Sequence, residues 1–161
     1  MADNASLDFG TGDFSVEAWA KFSYVSAGSS YNVIYTNGGV LDATNNFSLV
    51  TRNTNKIRFI VNNEETISSS TFAEGEWVHI VGTRIQGTNG VKLYINGNTT
   101  PEGIATSNNT VTNALVKMIG FDTNAARYYN NLIDDVRVYD RAISATEVEQ
   151  NYNAGLSAHT N

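Results

Sequence analysis

Carboxylate pairs and histidines are the chemistry to look for first, because the chain has no cysteine and so no disulfide, thiol nucleophile or thiolate metal site. Two adjacent acidic pairs occur, Glu64-Glu65 and Asp134-Asp135. Neighbouring residues on a strand point to opposite faces, whereas glycoside hydrolysis needs two carboxyls about 5 to 10 Å apart across one bond. Glu64-Glu65 also falls at an expected turn, and Glu17 stands alone on its strand. The two histidines, His79 in mid-strand and His159 in the tail, lie in no nucleophile elbow. His79 reads as an imidazole hydrogen-bonded at a sheet surface. No glycine-rich phosphate loop or dinucleotide fingerprint is present, and no enzyme is expected.

Binding chemistry is better supplied. A sugar site asks for an aromatic face against the apolar side of a pyranose, with amides and charged groups for the hydroxyls. Two loop regions carry such residues: Tyr24 and Tyr31 with Asn32, and Arg127 and Tyr128 with Asn124. The wide use of Asn, Thr and Ser offers the amide and hydroxyl groups that neutral sugars read, although Asn in turns has a purely conformational use as well. Trp19 is a weaker candidate, since an aromatic on a strand is more often covered than exposed.

These side chains need a scaffold of short strands. Over residues 14–22 (FSVEAWAKF) Phe14, Val16, Ala18, Ala20 and Phe22 share one face, the alternation of a half-buried strand. Further strands are expected at Val33-Ile34-Tyr35, Phe47–Thr51, Ile57–Val61, residues 77–84 (WVHIVGTR), 91–95 (VKLYI) and 115–121 (LVKMIGF). Turns are expected at Asn37-Gly38, Asn62-Asn63 and Asn96-Gly97, where Asn and Gly tolerate positive φ. Residues 66–72 are polar and weakly patterned. One helix start stands out: Ser144 can cap the turn that follows it, and Glu147 three residues later completes a capping box. Val148 and Tyr152, four apart, would dock this helix, expected over residues 144–152.

At 161 residues the chain fits one domain with a sizeable core. A formal charge of −6, with ten scattered basic residues, argues against nucleic acid and anionic membranes. No apolar run approaches the roughly 20 residues of a membrane span. Charge is low at 16% of residues, so the surface is neutral and polar and suits neutral partners. The start of the chain does not read as a signal peptide. Together with the polar residues 155–161, this suggests a domain excised from a longer extracellular or virion-surface protein.

Residues 132–152 (LIDDVRVYDRAISATEVEQNY), with the strand at 14–22 and the hairpin at 75–97, resemble the closing signature, opening strand and central hairpin of laminin G-like domains of the concanavalin A-like class. The resemblance implies an all-β, two-sheet antiparallel jelly-roll sandwich with one short C-terminal helix. It also implies a further strand before Leu7 that this chain lacks, and it makes Tyr129 a packing residue rather than a contact. Similar domains often hold calcium, and the resemblance points to Asp134 and Asp135, with Asp13 standing in for the acid of the missing strand. The alternative has Asp134 capping backbone N–H groups or pairing with Arg137 or Arg141. The expected function is non-catalytic, lectin-like recognition of a glycan or surface protein, with calcium as an optional cofactor. The alternatives are a structural spacer or decoration domain of a larger phage-tail, capsid-associated or extracellular protein, and, behind it, a glycoside hydrolase with an unusual acid pair.

Overall fold

A computed structural model of the chain describes residues 4–25, 31–38, 44–52, 54–123 and 127–160. Ten strands form two antiparallel five-stranded sheets, the expected jelly-roll sandwich. The first sheet contains β1 (Phe14–Lys21), β6 (Trp77–Arg84), β7 (Val91–Ile95), β8 (Gly103–Ala105) and β10 (Ile133–Tyr139), in the order β10-β1-β6-β7-β8. The second contains β2 (Tyr31–Thr36), β3 (Phe47–Arg52), β4 (Lys56–Val61), β5 (Glu64–Ile67) and β9 (Met118–Ile119), in the order β5-β4-β3-β2-β9. A short 3-10 turn at Ala5–Leu7 precedes β1, so the described residues carry no strand ahead of it.

The expected alternation sets the core. Phe14, Val16, Ala18 and Ala20 of β1 face Phe47, Leu49, Ile57, Phe59 and Val61 of the opposite sheet, with Val78, Ile80, Leu93 and Ile95 beside them. At Gly82 the opposite sheet presses on the backbone: an added Cβ would lie 2.5 Å from the Phe59 ring. Tyr129 belongs to this core as expected, its hydroxyl donating to the Lys21 carbonyl at 3.1 Å.

Turn chemistry fixes the register. Asn62 and Asn63, at φ of 52° and 72°, join β4 to β5 so that Val61 pairs with Glu64 and Ile60 with Glu65. Positive φ at both central residues is the geometry of a two-residue hairpin. Asn96 (φ 50°) and Gly97 (φ 71°) turn the chain out of β7 in the same way. Three strands depart from the sequence expectation, among them the short β8 (Gly103–Ala105), where no strand was expected. The run at 115–121 is a strand only at Met118–Ile119, and the polar Glu64–Ile67 is strand β5, its side chains too hydrophilic to alternate visibly.

The helix α1 (Ala145–Gly155) begins at Ser144, with both arms of the capping box present. It roofs the outer face of the first sheet. Val148 is fully buried against Val81, Tyr94 and Ile143, and Tyr152 stacks on Trp19 at 5.5 Å. Trp19 is therefore covered rather than open to a ligand.

Candidate functional site

Two groups of side chains carry chemistry, one on the outside of each sheet. Under α1, on the first sheet, Glu17 is fully buried. His79 Nε2 lies 3.0 Å from its carboxylate, the Tyr139 hydroxyl donates to it at 2.9 Å, Asn151 Nδ2 at 2.8 Å, and Arg137 reaches it at 3.2 Å. Burial pushes the Glu17 carboxyl up. Hydrogen bonding and charge from His79, followed by the bonds from Tyr139 and Asn151, outweigh this and hold it below the usual range. Glu17 remains the one acid of β1, its partners coming from other elements, and His79 is interior rather than at a sheet surface because α1 closes over them. The group locks a helix to a sheet and offers no open face to substrate.

The second group is an aromatic and cationic rim at the end of the other sheet. Tyr31 starts β2, and its register partner is Arg52 at the end of β3. The Arg52 guanidinium carbon lies 5.0 Å from the centre of the Tyr31 ring, and that of Arg127, arriving from the last long loop, lies 5.5 Å away. Both distances are within cation–π range. The Tyr31 hydroxyl is 3.3 Å from Glu65 Oε1, while Glu65 Oε2 pairs closely with Arg58 and more loosely with Arg52, at 3.6 Å. Arg127 pairs in turn with the buried Asp122 at 3.2 Å.

The sequence-predicted residues divide. Tyr31 and Arg127 meet ring to guanidinium. Tyr128 is 63% exposed and stacks on Phe121 at 4.8 Å, directly beside Arg127 in the chain. Tyr24, 47% exposed, lies at the same end, because Asn32 Nδ2 donates to its carbonyl at 3.0 Å and its own N–H is held by Glu74. Asn32 is buried and makes a second bond to the Ser23 carbonyl, so its amide holds the loop instead of facing a ligand. Asn124 lies outside the described residues. Sequence reading missed Arg52, Arg58 and Glu65. The signal for two of them was the Asn62-Asn63 turn, whose two-residue register sets Arg58 diagonally opposite Glu65.

The three acids proposed for calcium are not one ligand set. Asp134 pairs with Trp19 in β1, six positions beyond Asp13, which at about 3.3 Å per residue separates them by roughly 20 Å. Asp13 accepts from the Gln86 N–H at 3.1 Å. Asp134 accepts from the Asp135 N–H at 2.8 Å and faces His159 Nε2 at 3.2 Å. Asp135 sits at φ 49° in a bulge, where it and Val136 oppose Ala18 alone, and it pairs with Arg137 at 3.4 Å. No cluster of three His, Asp or Glu able to hold a metal ion occurs among the described residues.

Solved structures share the fold at low identity. The binding domain of Paraclostridial Mosquitocidal Protein 1 is 20% identical with a TM-score of 0.67, the match covering 95% of this chain and 40% of that one. The binding domain of Botulinum neurotoxin DC, in complex with rat synaptotagmin II, is 15% identical with a TM-score of 0.60, covering 94% of this chain and 37% of that one. A Trypanosoma rangeli sialidase is 14% identical with a TM-score of 0.61, covering 95% of this chain and 24% of that one. The chain therefore spans between about a quarter and two fifths of these proteins. The sequence matches no curated protein. Residues 2–149 match the laminin G-type family model described as the concanavalin A-like lectin/glucanases superfamily, and with its two five-stranded sheets and covering helix the chain belongs to that family.

Proposed function

We propose that this chain is a non-catalytic recognition module that binds carbohydrate, or a protein on a cell or particle surface, through the rim built around Tyr31. The observation that carries the reading is the grouping of Tyr31, Arg52 and Arg127 at one end of the second sheet, with the exposed Tyr128 next to Arg127 in the chain. Aromatic and arginine side chains are the ones that dominate binding energy in recognition surfaces. The structural neighbours described as binding domains agree with this use of the fold, and the reading places the module in an extracellular setting. Against catalysis stands the fate of Glu17: a carboxylate closed over by a helix and held by four side chains cannot reach a glycosidic bond.

A thermal melt in the presence of a glycan panel tests the reading. A ligand that binds only the folded chain raises the midpoint, by about 2.7 kcal/mol of stability at a concentration one hundred times Kd. One glycan class should shift the transition, and Tyr128→Ala should abolish the shift while leaving the unliganded melt within about 0.5 kcal/mol of wild type, as for other exposed positions. If no glycan moves the transition, the spacer reading takes over, which the consumption of the Asn32 amide inside the loop already favours. Calcium forms a separate arm: stabilisation by calcium that Asp134→Asn removes would assign an ion to the bend at Asp134-Asp135.

A further inference from the structure

Three of the six arginines in the chain, Arg52, Arg58 and Arg127, gather around Tyr31, although the chain as a whole is acidic. Among the described residues two carboxylates answer them, Glu65 and Asp122. Glu65 alone is divided between Arg52, Arg58 and the Tyr31 hydroxyl. Glu74 lies further along the rim, engaged by the Tyr24 N–H. We propose that Arg52, beside the Tyr31 ring that Arg127 also approaches, forms a seat for the carboxylate of an acidic sugar, with Tyr128 offering the aromatic face for its ring. This assignment rests on the recognition reading above and names the ligand class of that site.

Three observations support it. The guanidinium is a planar fork that receives a carboxylate through two parallel N–H bonds, and Arg52 leaves about a third of its side chain open to solvent. Arg58 is only 7% exposed, and its buried Nε has no hydrogen-bond partner among the described residues. Its guanidinium is held below the usual range, first by burial and then by the positive charge of Arg52. Arg52 and the buried Arg58 thus share the one carboxylate of Glu65, and an anion arriving at Arg52 would supply a second. The overall charge of −6 repels anions at long range, so attraction has to come from contact. At physiological salt it extends only about 8 Å.

Calorimetric titration with sialate-terminated and glucuronate-terminated oligosaccharides, each paired with its carboxyl-reduced counterpart, tests the proposal. The acidic member should bind about tenfold or more tightly than its reduced partner, the range expected when a hydrogen-bonded charge is lost. Arg52→Gln should erase that difference by weakening the acidic sugar, and rising salt should do the same. Arg52→Lys, which keeps the charge and loses the fork, should recover part of it. Arg52 is half-exposed and at a strand end, so its variants are expected to fold. A melt superimposable on wild type verifies this, and Arg127→Gln is secondary because its partner Asp122 is buried. Equal affinity for acidic and reduced sugars, with both lost in Tyr128→Ala, would overturn the carboxylate seat and leave the recognition module standing. Absence of binding by any of the four oligosaccharides and by the wider glycan panel would overturn both.

Discussion

Glu17 shows how a single residue can be misjudged from its neighbours in sequence. Alternation places it on the outer face of β1, where an isolated glutamate looks solvated; only the cover of α1 makes it interior. Truncating one member of a buried, hydrogen-bonded charge group costs about 3 to 5 kcal/mol, so Glu17→Ala should lose that much in a urea melt at neutral pH. The pH dependence has a definite sign. Because the folded carboxyl is held below its ordinary value of 4.5, Glu17 contributes stability above that value, and the contribution fades as pH falls through the folded pKa. Melts between about pH 5 and pH 3 should therefore show wild type losing stability more steeply than Glu17→Gln. Equal slopes would mean that the carboxylate gains nothing from its four partners. Tyr31 is the opposite case. Its type and place made it a candidate contact in the sequence, but the arginines beside it were not legible there, since Arg52 and Arg58 are brought to it by strand register rather than by nearness in the chain.

Elements were legible where apolar alternation or a specific turn announced them. β1, β6 and β7 follow from their alternating cores, and α1 follows from Ser144 and Glu147. β5 and β8 were hidden because neither is apolar enough to alternate; each exists by pairing with a stronger neighbour, β4 or β7. Ser144→Ala removes the cap and should cost about 1 kcal/mol, lowering the melting midpoint by about 2 to 4 °C in a chain of this size. Arg141 and then Ser144 hydrogen-bond the exposed Glu147 carboxyl and bring it down to about 2, so the box stays charged through the neutral range. Gly82 on β6 lies against the Phe59 ring, which is held in the core. Gly82→Ala should cost about 1 to 3 kcal/mol by overpacking, while Gly87→Ala, with open space around it at φ 128°, should be penalised only by its backbone. Denaturant midpoints of the two variants separate crowding from conformation.

At the scale of the molecule, the resemblance carried the fold because three motifs occurred in order, and it left the site open because loops set the site. The structure adds the difference between the two outer faces, one sealed by the helix and one edged by the aromatic and cationic rim. A chain ended after Asp140 would uncover Val81, Tyr94 and Trp19 together, and should bind a hydrophobic dye and self-associate; monomeric behaviour without dye binding would show that α1 is dispensable. The strand order has a consequence for biosynthesis. β1 lies between β6 and β10, so its two neighbours are Trp77–Arg84 and Ile133–Tyr139, and the last of them leaves the ribosome well over a hundred residues after β1. At about 5 to 20 residues per second that delay is on the order of ten seconds. For that interval β1 is without its full pairing, and the nascent chain depends on whatever shields Phe14, Val16 and Trp19 until the closing strand emerges.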